Sequence, residues 1–164
     1  LSIFDLIVTF SSGDKVTYQD TIKNLHILDY DYFFKLTDML DQGNVSQALL
    51  TYDEILHNGF DGHNFLIGLS EHFRNLMVCK DPETVKLLNV SKNIQARYIE
   101  QAKAIPLSFL MSGLNILNLA DLNFKSSKNQ RLHVELALMK LGYLNQAIKV
   151  SSNSGEELKK KVMA

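Results

Sequence analysis

Five histidines, at positions 26, 57, 63, 72 and 133, and a single cysteine, Cys79, are the side chains best suited to metal binding or nucleophilic chemistry. No two histidines stand four apart, so neither His-Glu-x-x-His nor His-x-x-Glu-His is present to hold zinc on one helix face. His63 and His72 fall in one predicted helix, but nine residues is two and a half turns, which sends them to opposite sides. They read as structural or surface histidines. Cys79 has no motif around it that lowers a thiol pKa, which suits a buried, inert group. Asp29-Tyr30-Asp31 offers carboxylates to a metal but no third and fourth oxygen at loop spacing, and reads better as a connector and helix cap. Ser11-Ser12-Gly13-Asp14-Lys15 lacks the G-x-x-x-x-G-K-[ST] spacing that cradles phosphate. Arg97 beside Tyr98, and Lys140 near Tyr143, are isolated pairs and form no basic, aromatic stripe for nucleic acid. The residues assign no catalytic group, no cofactor site and no metal ligands.

The elements that carry these residues are helices. Phe33, Leu36, Thr37 and Leu40 lie along one stripe, and Gly43 follows as a left-handed stop. Asn44 caps a second helix, with Gln47 at its third position; Ala48, Leu49, Tyr52, Ile55 and Leu56 form its inner face, and Gly59 ends it. A third runs from about Gly62 to Lys80 with Phe65, Leu69, Phe73, Leu76 and Met77 inward. Such short links make consecutive helices antiparallel neighbours. Asp81-Pro82-Glu83 opens a short helix reaching about Leu88, and Ser91 to Ala104 forms another, closed by Pro106. At the N-terminal end, Leu1 to Phe10 suits the last turns of a helix, and Thr17 with Asp20 starts a second one to about Leu25.

From Ala104 to Ala120 the chain carries no charge, close to the length of a membrane span. Ser108, Ser112, Asn115 and Asn118 share one stripe of that helix, and two asparagines at such depth would be costly in lipid. The segment is therefore expected to be buried on most sides, with a polar stripe facing solvent or another subunit. Gln130 to Asn145 forms the last helix, with Leu132, Leu136, Met139 and Tyr143 on one face and Val134, Leu138 and Leu141 on another, as a central helix would have. Residues 146–164, rich in Ser and Lys, are expected to be a mobile tail with helical turns where Glu156 and Glu157 precede Lys160 and Lys161.

Composition agrees with this all-α, antiparallel bundle. Glycine and proline together number ten in 164 residues, about 6% against a usual ~12%, too few for the turns of an all-β fold. Net charge is −1, split between −6 over residues 1–80 and +5 over residues 81–164, so the whole chain has no polyelectrolyte character, although its halves can orient protein partners. One cysteine gives no disulfide framework and suits a reducing, cytoplasmic setting. A first residue of Leu1, with no initiator methionine and no charged n-region, suggests a piece of a longer protein.

Three stretches, in order, carry a family likeness. Leu1-Ser2-Ile3-Phe4-Asp5 resembles the residues after the sensor arginine in the lid of bacterial clamp-loader ATPases, where the pattern is R-D-A-L-S-x-x-D. Gly59-Phe60-Asp61 followed by Arg74-Asn75-Leu76-Met77 is similar to the family's G-x-(D/P)…L-R-(D/N)-L-L helix, and the run Asn129 to Leu141 resembles its R-x-x-x-E-x-x-L-x-x-L helix. Together they span most of the chain and resemble the gamma/tau family of DNA polymerase III. The resemblance implies the end of an AAA+ lid domain and linker at residues 1–28, and a helical collar domain at residues 29–145 through which clamp-loader subunits assemble. ATP and Mg would belong to an upstream ATPase module, whose Walker residues have no counterpart here. Leu6, where the family often has Gln, and His26-Ile27, in place of the usual Gly, depart from the pattern in the linker.

On this reading the fragment is not an enzyme but an oligomerisation domain. It would associate with itself and with delta and delta-prime-type subunits, and would reach the sliding clamp and primer-template DNA only through the full complex, with no membrane partner. Ser112 and Asn115 on the polar stripe, and Arg131 and Glu135 on the last helix, are the candidate subunit contacts, although the last two stand four apart and can pair within the helix. The competing reading is a helical-repeat adaptor for a protein partner, since Gly43 to Tyr52 also resembles part of a tetratricopeptide unit. That unit repeats every 34 residues, and the second glycine stop comes after 16.

Overall fold

The computed structural model describes residues 29–163; the two helices expected between Leu1 and Leu25 lie outside the described residues. Six α-helices and one 3-10 turn follow in order, with no strand among the described residues: α1 Tyr30–Asp41, α2 Val45–His57, α3 Gly62–Val78, the turn Thr84–Leu87, α4 Lys92–Ala104, α5 Leu107–Phe124 and α6 Gln130–Met163. The fold is all-α, as the helical spacing predicts.

Local chemistry sets the helix ends. Asp29 accepts from the Asp31 N–H (3.1 Å), Asn44 from the Gln47 N–H (3.3 Å), and Asp61 from the His63 N–H (3.3 Å), each satisfying a first-turn donor that has no partner inside the helix. Gly43 and Gly59 adopt φ of 76° and 87°, conformations that a Cβ would strain. In both stops the N–H after the glycine returns to the helix, Asn44 to the Met39 carbonyl and Phe60 to the Ile55 carbonyl, which is the Schellman arrangement. Asp81 accepts from the Glu83 N–H at 2.8 Å, but the expected Asp81-capped helix is a single 3-10 turn that begins after Glu83 with no side-chain cap. Lys80 donates to the carbonyls of Ala102 and Ile105, so the C-terminal end of α4 is closed by a cation, where the helix dipole favours one.

α3 forms the axis of the packing, with Phe65, Leu66, Leu69, Phe73 and Leu76 fully buried, and it lies against α1, α4, α5 and α6. One continuous core draws on all six helices, from Phe33 to Leu141. The bundle is therefore closed, and the Gly43 to Tyr52 stretch is a turn and the start of α2 within it rather than one unit of an open repeat stack.

Two expectations are corrected. α5 is not buried on most sides: Phe109, Leu110, Gly113, Leu117, Ala120 and Phe124 face the core, while Leu107, Met111, Leu119 and Leu122 are exposed. α6 does not end near Asn145 but runs unbroken to Met163, through Ser151-Ser152-Asn153-Ser154-Gly155. That run of weak helix formers suggested a break, because serine hydroxyls compete for backbone bonds. Here they bond backwards along the helix instead, Ser151 to the Ala147 carbonyl, Ser152 to Lys149 and Ser154 to Val150, each at 2.9 Å, and the ladder continues.

A small polar network is sealed into the α1–α3–α4 corner. The Gln101 amide donates to the Phe34 carbonyl and to Asp38 Oδ1, both at 2.8 Å, which turns its Oε1 towards His72 Nε2, also 2.8 Å away. The imidazole must then carry its proton on Nε2. Burial holds the His72 pKa down to about 4 against a bond from Gln101 that raises it and a further lowering by Arg97, so the ring is neutral.

Candidate subunit interface

Among the described residues the α5–α6 hairpin leaves several large apolar side chains exposed. Asn129 caps α6 by accepting from the Leu132 N–H (3.0 Å), and His133 Nε2 donates to the Ala120 carbonyl (2.8 Å), which fixes the two helices in register. The hairpin is also tied to α3: His63 Nε2 lies 2.7 Å from Asp121 Oδ1, and the His63 ring stacks on Phe124 with centroids 5.1 Å apart. On the outer side of this braced pair Leu119 is 60% exposed, Leu122 69%, Leu132 46% and Leu136 45%. Between the helices runs a shallow groove of about 240 Å³, with Ile116, Leu119 and Leu136 on its walls and Lys140 at its edge. These exposed leucines stand on two neighbouring helices rather than being scattered singly over the exterior.

The four residues singled out in the sequence do not come together on one surface. Ser112 is half-buried on α5, and Asn115 is exposed beside a groove between α3 and α5 that also holds Glu71 and Asp121. Arg131 and Glu135 face α2 instead: Arg131 Nε bonds Glu135 (2.8 Å) while its terminal nitrogen reaches Asp53 at 2.6 Å. Both carboxylates favour the charged guanidinium, and the fork spans α2 and α6. Below it, burial pushes the Tyr52 hydroxyl up to about 12, the Arg131 charge opposing the shift.

The remaining candidates for chemistry are occupied by structure. His57 packs along its own helix against Asp53, and Cys79 is half-buried, its thiol pKa raised by desolvation. Among the described residues no three His, Cys, Asp or Glu side chains are placed to hold a metal, and no single helix is long and apolar enough to cross a membrane.

Comparison with known proteins gives this hairpin a context. The profile of the family described as DNA polymerase III subunits gamma and tau domain III matches residues 16–153. The chain belongs to that family. DNA polymerase III subunit tau of Bacillus subtilis (strain 168) is 26% identical over 141 residues, which cover 86% of this chain and 25% of the relative. The chain thus spans about a quarter of the length of the curated relative it matches. The gamma/tau resemblance carried by the Gly59–Met77 and Asn129–Leu141 stretches is borne out, and the gamma/tau domain III match takes in all of α5 and α6 as far as residue 153.

The leucines of the outer face were missed as contact residues, although their signal was present. Leu132, Leu136 and Tyr143 formed a visible apolar face but read as a second buried one, and Leu119 and Leu122 sat in or beside the uncharged run that read as core.

Proposed function

We propose that this chain is a non-catalytic oligomerisation unit of a clamp-loader gamma/tau subunit, and that the outer face of α5–α6 is where it meets its neighbours. The observation that carries this reading is the bare leucine face on a braced hairpin, in a chain of the gamma/tau domain III family. Fully burying an exposed leucine is worth roughly 1.5–3 kcal/mol, and the share that these half-exposed side chains have still to gain favours association. Neighbours of this kind are further copies of the chain and delta or delta-prime-type subunits. ATP hydrolysis with Mg belongs to an upstream ATPase module, the sliding clamp and primer-template DNA are reached through the assembled complex, and the setting is cytoplasmic. Arg131 and Glu135 act within the subunit, holding α2 to α6; Asn115, which lines the neighbouring α3–α5 groove, and half-buried Ser112 on the same helix are secondary contacts.

Sedimentation equilibrium over a wide concentration range, alone and with delta-type subunits, tests the proposal. Association in either mixture is the expected result. A strict monomer that captures none of those subunits would contradict it.

A further inference from the structure

The outer stripe of α6 does not stop where the bundle stops. Leu132, Leu136, Tyr143 and Val150 fall within about 40° of one another around the helix axis, and Ser154 and Leu158 carry the same side onward, so the stripe runs about 39 Å along α6. Every residue from Lys149 to Met163 is exposed. The extension is nevertheless sorted into faces. Val150, Ser151, Ser154, Leu158 and Val162 share one side, with Lys161 near its edge, while Lys149, Glu156 and Lys160 lie opposite. An apolar side of this kind is made to be covered. Ser151 to Gly155 are weak helix formers, so this part of α6 has little propensity of its own to stay helical in water.

The stripe is complementary to itself when turned end for end. With a two-fold axis crossing α6 at the level of Lys149, residues equally far on either side of Lys149 stand opposite one another. Leu136 then meets Val162 of a second copy, Tyr143 meets its Gly155 and Ala147 meets its Ser151, so that the large exposed ring falls on the residue with no side chain. Leu158 and Val162 of the second copy come level with Lys140 and Leu136, where the groove between α5 and α6 opens. Glu157 of the second copy arrives within one residue of the level of Lys140, which makes no ion pair among the described residues. A parallel pair would instead set Tyr143 on Tyr143 and bring the two triplets Lys159-Lys160-Lys161 side by side.

We infer that α6 pairs antiparallel with α6 of a second copy of this chain, the extension of each covering the outer hairpin face of the other. The contact is isologous, so each interaction occurs twice. The inference rests on the self-association proposed above and adds its geometry: the leucine face of one bundle is completed by the helix end of its partner.

Pulsed dipolar electron resonance tests the direction of pairing on the intact chain, spin-labelled at Lys160→Cys in a Cys79→Ser background, since Lys160 lies away from the pairing side. The two labels should stand about 35 Å apart, whereas a parallel pair would bring them within about 20 Å. By sedimentation, Leu158→Asp/Val162→Asp, at positions outside the core, should weaken dimerisation at least tenfold. Lys140→Glu should weaken it less, and Lys140→Glu/Glu157→Lys should recover most of that loss. Assembly unchanged in Leu158→Asp/Val162→Asp, or labels at the shorter distance, would overturn the antiparallel pairing while leaving self-association through the hairpin in place. A wild type that stays monomeric at every concentration would remove self-association and this pairing together.

Discussion

The two long sides of α6 carry similar residues and meet opposite fates. Val134, Ala137, Leu138 and Leu141 are buried among α1, α2, α3 and α5, whereas Leu132, Leu136 and Tyr143 on the outer side have no described element over them. Helical periodicity reveals both stripes equally, because each is spaced at three and four residues. What separates them is supply: among the described residues there are helices to cover one side of the α5–α6 hairpin and none for the other. An apolar stripe in a sequence therefore predicts a buried face without saying whose atoms bury it.

Substitutions on the two sides should diverge accordingly. The largest effect is expected for Leu138→Ala, which removes a fully buried side chain and should cost about 2–5 kcal/mol of folding stability in urea titration. Leu136→Ala on the outer side should leave the urea midpoint nearly unchanged while weakening self-association; equal losses of stability at both positions would erase the distinction between the faces.

The buried polar corner sharpens the contrast from another direction, since His72 makes the inner side sensitive to acid. His72 titrates at about 4 in the folded chain and near 6.5 when unfolded, so below pH 6.5 the unfolded state binds the extra proton. Stability should be fully present above that pH, decline by roughly 3 kcal/mol in all as pH falls to 4, and then level off as far as this group is concerned. Substituting the ring with a non-titrating residue should flatten that part of the profile, even if the variant is less stable at neutral pH. A wild-type profile already flat between pH 6.5 and 4 would mean that the ring is not enclosed as described.

Smaller again is Gly59→Ala. The built Cβ meets nothing within 4 Å, so the cost is conformational alone, about 1 kcal/mol for a left-handed residue. Arg131→Ala should have the least effect, because its ion pairs are exposed to solvent. A thermal midpoint lowered as much as by Leu138→Ala would show the α2–α6 fork to be part of the core's stability rather than an addition at its edge.

Much of this arrangement was legible in the residues themselves. Asn44, Gly43 and Gly59 announce helix ends because capping and left-handed turns depend on one or two side chains, and the structure places helix ends there. The gamma/tau resemblance was legible for a different reason, as an order of weak motifs. The continuation of α6 through residues 151–155 was not, because serine's preference for breaking a helix is reversed when its hydroxyl bonds the preceding turn. The His72–Gln101 network was also hidden, since its members are 29 residues apart and meet only after α3 and α4 pack. The outer leucines were visible as apolar but not as exposed, for the reason of supply given above.

The central claim is that the outer face of the α5–α6 hairpin joins this chain to its neighbours. Sedimentation velocity of the wild-type chain beside Leu122→Asp/Leu136→Asp, with circular dichroism to check that both remain helical, tests it most directly. The wild type should show concentration-dependent assembly that collapses to monomer in the double variant while the helical signal is retained. Unchanged assembly in a folded double variant would contradict it.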